Sequence, residues 1–88
     1  MTEIDCFVIY TIPNCQWCDK AKRLLANSGH SYVEVDASGK EDRRRLRERM
    51  PFPVEKLTVP QIWHGDKHIG GFTALEAYLK KMGVPTGA

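Results

Sequence analysis

Cys15 and Cys18 stand in C-x-x-C spacing, directly after the apolar run Phe7-Val8-Ile9-Tyr10 and directly at the opening of an amphipathic stretch. A sulfur at the mouth of a helix meets unpaired backbone N–H groups and the positive end of the helix dipole, and both favour negative charge. Cys15 is therefore the better thiolate, and the thiolate is the form that attacks a disulfide. Cys18 lies one turn further in, on the side of Ala21 and Leu25, where burial keeps its proton on. Side chains at i and i+3 share a helix face, close enough for the two sulfurs to bond without unwinding the turn. That pattern suits thiol–disulfide exchange, with Cys15 attacking and Cys18 resolving the mixed disulfide. Two other readings use the same residues: half of a zinc site, or a pair of buried core thiols. Zinc needs four ligands, and the remaining soft or imidazole donors are Cys6, His30, His64 and His68. His64 and His68 have H-x3-H spacing but follow Cys18 at far more than the interval of a compact finger, so no metal is expected.

Three further segments could do chemistry. In Thr58-Val59-Pro60, a proline at the start of a strand has an ordinary explanation, since it cannot donate to a ladder. If the Val59-Pro60 bond is cis and faces the cysteines, the backbone of Val59 is free to pair with an incoming peptide in strand fashion. Gly70-Gly71 followed by Thr73 makes a tight turn into a helix N-terminus, either a plain connection or a carboxylate site built from free amides. The basic run from Asp42 to Arg49 reads as a solvated helix face, with Glu41–Arg45 and Arg44–Glu48 pairs at i,i+4. Cys6 reads as a core or edge thiol and His30 as an exposed residue after a helix end.

The elements that must position these residues follow from periodicity. Phe7–Tyr10 reads as a central strand buried on both faces. Trp17, Ala21, Leu24 and Leu25 make the apolar stripe of a helix from Cys15 to Ser28, with Gly29 as its C′ residue. Tyr32–Asp36 alternates as a second strand, parallel to the first because a helix connects them. Ser38-Gly39-Lys40-Glu41 is a capping box that opens a helix running to about Met50, ended by Pro51 and Pro53. Pro60–Trp63 and Lys67–Ile69 flank Gly65-Asp66 as a hairpin. Thr73-Ala74-Leu75-Glu76 is a second capping box, with Leu75, Tyr78, Leu79 and Met82 as the buried stripe of a last helix that Gly83 and Pro85 close. The order βαβαββα with one mixed sheet gives an α/β layered architecture, read as one domain over residues 1–88. With 13 Lys and Arg against 11 Asp and Glu the net charge is only +2, so no nucleic-acid partner is implied. The acidic start Met1–Asp5 and the short apolar run after it suit neither a signal peptide nor a membrane span, and three cysteines suit a reducing, cytoplasmic setting.

Taken together, Tyr10-Thr11 before the C-x-x-C, Ala21-Lys22 and Leu24-Leu25 after it, Thr58-Val59-Pro60-Gln61-Ile62, and Ile69-Gly70-Gly71 resemble a glutaredoxin, from about Phe7 to Tyr78. The resemblance implies a thioredoxin-like fold of four strands and three helices, and a cis bond at Val59-Pro60. It implies a redox-active Cys15–Cys18 disulfide in which Cys15 is the nucleophile and Cys18 the resolving thiol. It also implies a glutathione groove: Trp17 as the flanking aromatic, Thr58, Val59 and Pro60 against the cysteinyl backbone, and Gly71, Phe72 and Thr73 around the γ-glutamyl carboxylate. The partners implied are glutathione and disulfide-containing proteins, ribonucleotide reductase among the candidates, met by a monomer. Three positions depart from the family pattern. Gln16 replaces the usual proline, Ile12 a frequent lysine, and Thr73 a common aspartate. These departures leave a redoxin reduced by thioredoxin reductase as the alternative. Two binding modules are the readings of a different class, one stapled by zinc and one carrying an iron–sulfur cluster.

Overall fold

A computed structural model describes residues 6–82. The elements run β1 (Phe7–Thr11), α1 (Gln16–Asn27), β2 (Tyr32–Asp36), α2 (Lys40–Arg49), β3 (Gln61–His64), β4 (Lys67–Gly70) and α3 (Phe72–Lys81). The sheet order is β2-β1-β3-β4, so β1 is internal. β2 runs parallel to β1, with Phe7 opposite Tyr32 and Thr11 opposite Asp36. β3 runs antiparallel to β1 and β4 antiparallel to β3, the hairpin turning at Gly65 with φ +64°. This is the thioredoxin-like α/β arrangement, a four-stranded mixed sheet with three helices.

Alternation along β1 divides its side chains between two layers. Phe7 and Ile9 join Ala21, Leu24, Leu25, Ile62, Leu75 and Leu79 in the core between the sheet and helices α1 and α3. Val8 and Tyr10 lean instead on Ala37, Leu46 and Trp63, beneath α2. Leu25, fully buried, is the kind of residue whose truncation to alanine costs about 2–5 kcal/mol. α1 ends in a Schellman turn: the Gly29 amide donates to the Ala26 carbonyl at 3.1 Å and the His30 amide to Leu25 at 3.0 Å, with Gly29 at φ +79°.

Several expectations need correction. Neither capping box forms: α2 starts from Gly39 and α3 from Gly71, both without a side-chain cap. The Ser38 amide is taken by the Asp36 carboxylate at 2.9 Å, a local turn that carries Ser38 outside the cap position. Thr73 lies within the first turn of α3, because the Leu75 amide already donates to the Gly71 carbonyl at 3.0 Å. Met82 is exposed rather than part of the buried stripe, and Trp17 stands half out of the surface. His30 is half-buried edge-on to the Phe7 ring at 5.1 Å, not exposed, and its Nε2 has no hydrogen-bond partner among the described residues. On α2 Arg44 pairs with Glu48 as expected and with Glu41 as well, while Arg45 acts on Glu41 through its charge rather than through a hydrogen bond. Gly83 and Pro85 lie outside the described residues.

Candidate active site

Between β1 and α1 the chain must reverse within Ile12-Pro13-Asn14, and Asn14 does so at φ +58°, the left-handed region that asparagine tolerates best after glycine. The turn delivers Cys15 as the N-cap of α1, extended at φ −110° and ψ 109°. Its Sγ accepts the Cys18 amide at 3.1 Å, occupying the place of a capping oxygen. Cys15 is half-buried while Cys18 is 1% exposed, so the two sulfurs differ in access as the helix position requires. They are paired as a disulfide across a Cα–Cα distance of 5.2 Å. The amides of Gln16 and Trp17, in the first turn, have no acceptor within the helix. Ile12 packs toward Ala37, Leu46 and Trp63, so that position brings no cation to the sulfur.

Trp17, between the two cysteines in sequence, forms one wall of an open groove of about 220 Å³ that is also lined by Thr58, Val59, Pro60, Gly71, Phe72 and Thr73. Trp17 of the C-x-x-C, the Thr58-Val59-Pro60 segment and the Gly71-Phe72-Thr73 turn thus meet at one place, whereas the basic run Asp42–Arg49 takes no part in it. The Val59-Pro60 bond is cis. The rings of Trp17 and Phe72 lie 5.5 Å apart, and Lys20 Nζ sits 4.5 Å over the Trp17 ring. Because Gly71 is the N-cap of α3, the amides of Phe72, Thr73 and Ala74 have no acceptor within the helix, and this wall of the groove favours negative charge.

A larger groove of about 450 Å³ runs from Thr11 and Asn14 to Asp36. There the Thr11 hydroxyl donates to Glu34 at 2.7 Å and Lys22 Nζ lies 3.0 Å from the same carboxylate oxygen. The Glu34 carboxyl is held below its ordinary pKa, by the Thr11 hydroxyl first and Lys22 second, and Lys22 is raised in return, chiefly by its bond to Glu34. With Asp19 and Asp36 in the same wall, the groove repels anions.

The histidines serve the fold. His64 Nδ1 lies 2.6 Å from the Tyr78 hydroxyl, and His68 Nε2 lies 2.8 Å from Gln61 Oε1. Among the described residues no group of three His, Cys, Asp or Glu side chains is close enough to hold a metal ion. A half-buried cysteine at a helix mouth and a buried partner cysteine one turn on, with the groove on the Trp17 side, suit thiol–disulfide exchange.

The model of the family described as glutaredoxin matches residues 7–69. The chain belongs to the glutaredoxin family. It is 40% identical to a glutaredoxin of Pseudomonas aeruginosa over 86% of each chain, and 39% identical to glutaredoxin 3 of Escherichia coli K12 over 86% of this chain and 88% of that one. Among solved structures it is similar to glutaredoxin 1 of Francisella tularensis, with a TM-score of 0.74 and 31% identity over 88% of this chain and 94% of that one. As a dithiol glutaredoxin it is a glutathione-dependent thiol–disulfide oxidoreductase with a C-x-x-C active site, here Cys15-Gln16-Trp17-Cys18. Among the described residues no helix of this glutaredoxin is long and apolar enough to cross a membrane.

Gln61 and Arg49 make contacts that the sequence does not announce. Gln61, only 7% exposed, donates from Nε2 to the Thr58 carbonyl at 3.0 Å. His68 in turn holds the other end of that amide. Arg49 completes the surroundings: it donates to the Tyr10 hydroxyl at 2.8 Å and lies 4.4 Å over the Trp63 ring. A buried amide after a strand-starting proline is the one signal that could have pointed to Gln61, since such a side chain must find partners.

Proposed function

We propose that Cys15 is the nucleophile and Cys18 the resolving thiol, and that the groove lined by Trp17, Thr58, Val59, Pro60, Gly71, Phe72 and Thr73 binds the glutathionyl part of the substrate. The observation that carries this reading is the N-cap geometry of Cys15. Cys15 is only half-buried and its Sγ accepts the Cys18 amide, Trp17 two residues on lines the groove, and Cys18 is closed off. The thiolate of Cys15 attacks the glutathionyl sulfur of a mixed disulfide, the protein thiolate leaves, and glutathione remains joined to Cys15. Glutathione thiolate can then attack that glutathionyl sulfur, releasing oxidised glutathione and the Cys15 thiolate. Alternatively Cys18, once deprotonated, attacks Cys15 and expels glutathione, giving the Cys15–Cys18 disulfide that two further glutathione molecules reduce. With a protein disulfide, Cys15 attacks one sulfur and releases the other as a thiolate, and Cys18 then attacks Cys15 and expels the second protein thiolate, ribonucleotide reductase being among the candidate substrates.

The groove suits this ligand on charge and shape. The unpaired amides at the start of α3 favour the γ-glutamyl carboxylate, and the backbone of Val59 can pair with the cysteinyl residue in strand fashion. Thr73 supplies a neutral hydroxyl there. The unit acts as one domain over residues 1–88, a monomer in the cytoplasm, without a resident metal. The test is a coupled assay on a glutathionylated peptide, with NADPH oxidation driven either by glutathione and glutathione reductase or by thioredoxin reductase alone. Turnover with the glutathione system is expected; turnover confined to thioredoxin reductase would reject glutathione as the electron source.

A further inference from the structure

The hydrogen-bond chain that ends at Thr58 has no part in the thiol chemistry above. Gln61 opens β3, and its buried amide is fully engaged: Nε2 donates to the Thr58 carbonyl at 3.0 Å and lies 3.3 Å from the Thr58 hydroxyl, while Oε1 faces His68 Nε2 of the neighbouring strand at 2.8 Å. An amide oxygen only accepts, so His68 Nε2 carries the proton, and this fixes which end of the Gln61 amide meets Thr58. The neutral Nε2–H tautomer and the imidazolium both satisfy that condition. His68 is packed 4.7 Å from the Trp63 ring and 5.8 Å from Phe52, and its pKa is lowered by burial first and by the charge of Arg49 second.

We propose that Gln61 and His68 are positioning residues for substrate: they hold the Thr58–Val59 peptide plane so that the Val59 amide is presented to the backbone of the bound glutathionyl group. The proposal rests on the groove assignment above. Among the described residues only Val59-Pro60 is cis, so the Thr58–Val59 peptide is trans, and the carbonyl and N–H of a trans peptide point in opposite directions. With the carbonyl held by a buried side chain, the N–H is turned away from Gln61. Pro60 has no N–H, so the donor on this part of the groove must come from the residues before it. Were the plane to flip, the Thr58 carbonyl would take the place of that donor and meet the substrate's acceptor with a second acceptor. His68 acts one step further back, by denying the Gln61 amide its reversed orientation.

The test compares the wild-type protein with Gln61→Glu, His68→Leu and His68→Gln in the coupled glutathione assay, using an S-glutathionylated peptide as substrate. In each protein the alkylation rate of reduced Cys15 by iodoacetamide and the 15N–1H signal of Val59 are also measured. Gln61→Glu cannot donate to the Thr58 carbonyl, so KM is expected to rise roughly three- to tenfold, the range of one neutral hydrogen bond, with the alkylation rate unchanged and the Val59 signal displaced. His68→Leu moves KM and the Val59 signal in the same direction. His68→Gln, whose amide nitrogen can still reach Gln61 Oε1, restores both. A purely structural role would lower the melting temperature without this split and without rescue. Wild-type KM in all three variants, or losses confined to kcat and alkylation, would overturn the proposal while leaving the groove intact. A wild-type protein that does not saturate with the glutathionylated peptide would overturn the groove assignment itself, and the proposal with it. Should Gln61→Glu fail to fold, the two His68 variants decide the matter.

Discussion

Gly70 and Gly71 are adjacent, yet alanine at each should report on a different property. Gly70 sits at φ +123°, and a Cβ there would stand 3.1 Å from the Ala74 Cβ. A backbone conformation essentially reserved for glycine costs an L-residue about 1–3 kcal/mol, before the close contact is added. At about 2 kcal/mol, and 4–8 °C per kcal/mol for a domain of this size, Gly70→Ala should lower Tm by about 8–16 °C. Gly71 has φ −92° and ψ −160°, open to any residue, and a Cβ there meets only the Pro60 carbonyl at an ordinary 3.6 Å. Two effects of about 0.5–1 kcal/mol then oppose each other: alanine is a poorer N-cap than glycine, but it restricts the unfolded chain. Gly71→Ala should therefore leave Tm within about 4 °C of wild type. Its methyl group occupies the groove wall instead. A methyl in a binding pocket is worth about 1–3 kcal/mol, and in a groove this open the lower end applies, roughly a fivefold rise in KM for a glutathionylated peptide. Thermal circular dichroism and the coupled assay read the two properties separately. An unchanged Tm for Gly70→Ala would refute the backbone reasoning, and an unchanged KM for Gly71→Ala would show that substrate does not lie against this turn.

Arg49→Leu removes the donor to Tyr10 and the cation over Trp63, about 0.5–2 kcal/mol of stability at a partly exposed site, and should raise the His68 pKa, read by NMR titration. Because folding lowers the His68 pKa, its contribution to stability is complete above the ordinary value of 6.5 and declines as pH falls through the lower folded value. Denaturant titrations of wild type and His68→Gln should therefore converge as the solution is acidified below that value. Thr11→Val deletes the buried hydroxyl that donates to Glu34. It should cost about 0.5–1.5 kcal/mol near neutral pH and raise the Glu34 pKa, with the difference from wild type shrinking as pH falls through the folded-state value of Glu34.

The parts of this molecule that are legible in its sequence are those fixed by local chemistry. An apolar strand, a C-x-x-C at a helix mouth and a Gly65-Asp66 turn each specify their own geometry, and the βαβ order then leaves few ways to assemble the sheet. The Thr58-Val59-Pro60 and Gly70-Gly71-Phe72-Thr73 segments are legible as pieces, and family resemblance brings them together. Helix starts are less legible because hydroxyl caps compete with other partners. Asp36 captures the Ser38 amide, and the sharp turn at Gly70 makes Gly71 the N-cap of α3, so that Thr73 already lies inside the helix. Gln61 and His68 meet across antiparallel strands whose register shifts between Ile62 and Trp63, and no periodicity in the chain announces such a shift. Trp17 follows the helical stripe in spacing but falls in the first turn, beyond the edge of the core, where it lines the groove instead.

The division of labour between the two sulfurs is most directly tested by trapping the mixed disulfide. Reduced Cys15→Ser and Cys18→Ser proteins are incubated with oxidised glutathione, and the adducts are located by mass spectrometry of peptides under non-reducing conditions. Cys18→Ser should carry one glutathione on Cys15 and still turn over glutathionylated peptide, while Cys15→Ser should carry none on the buried Cys18 and be inactive. Glutathione found on Cys18, or activity retained by Cys15→Ser, would contradict the assignment of Cys15 as the attacking thiolate.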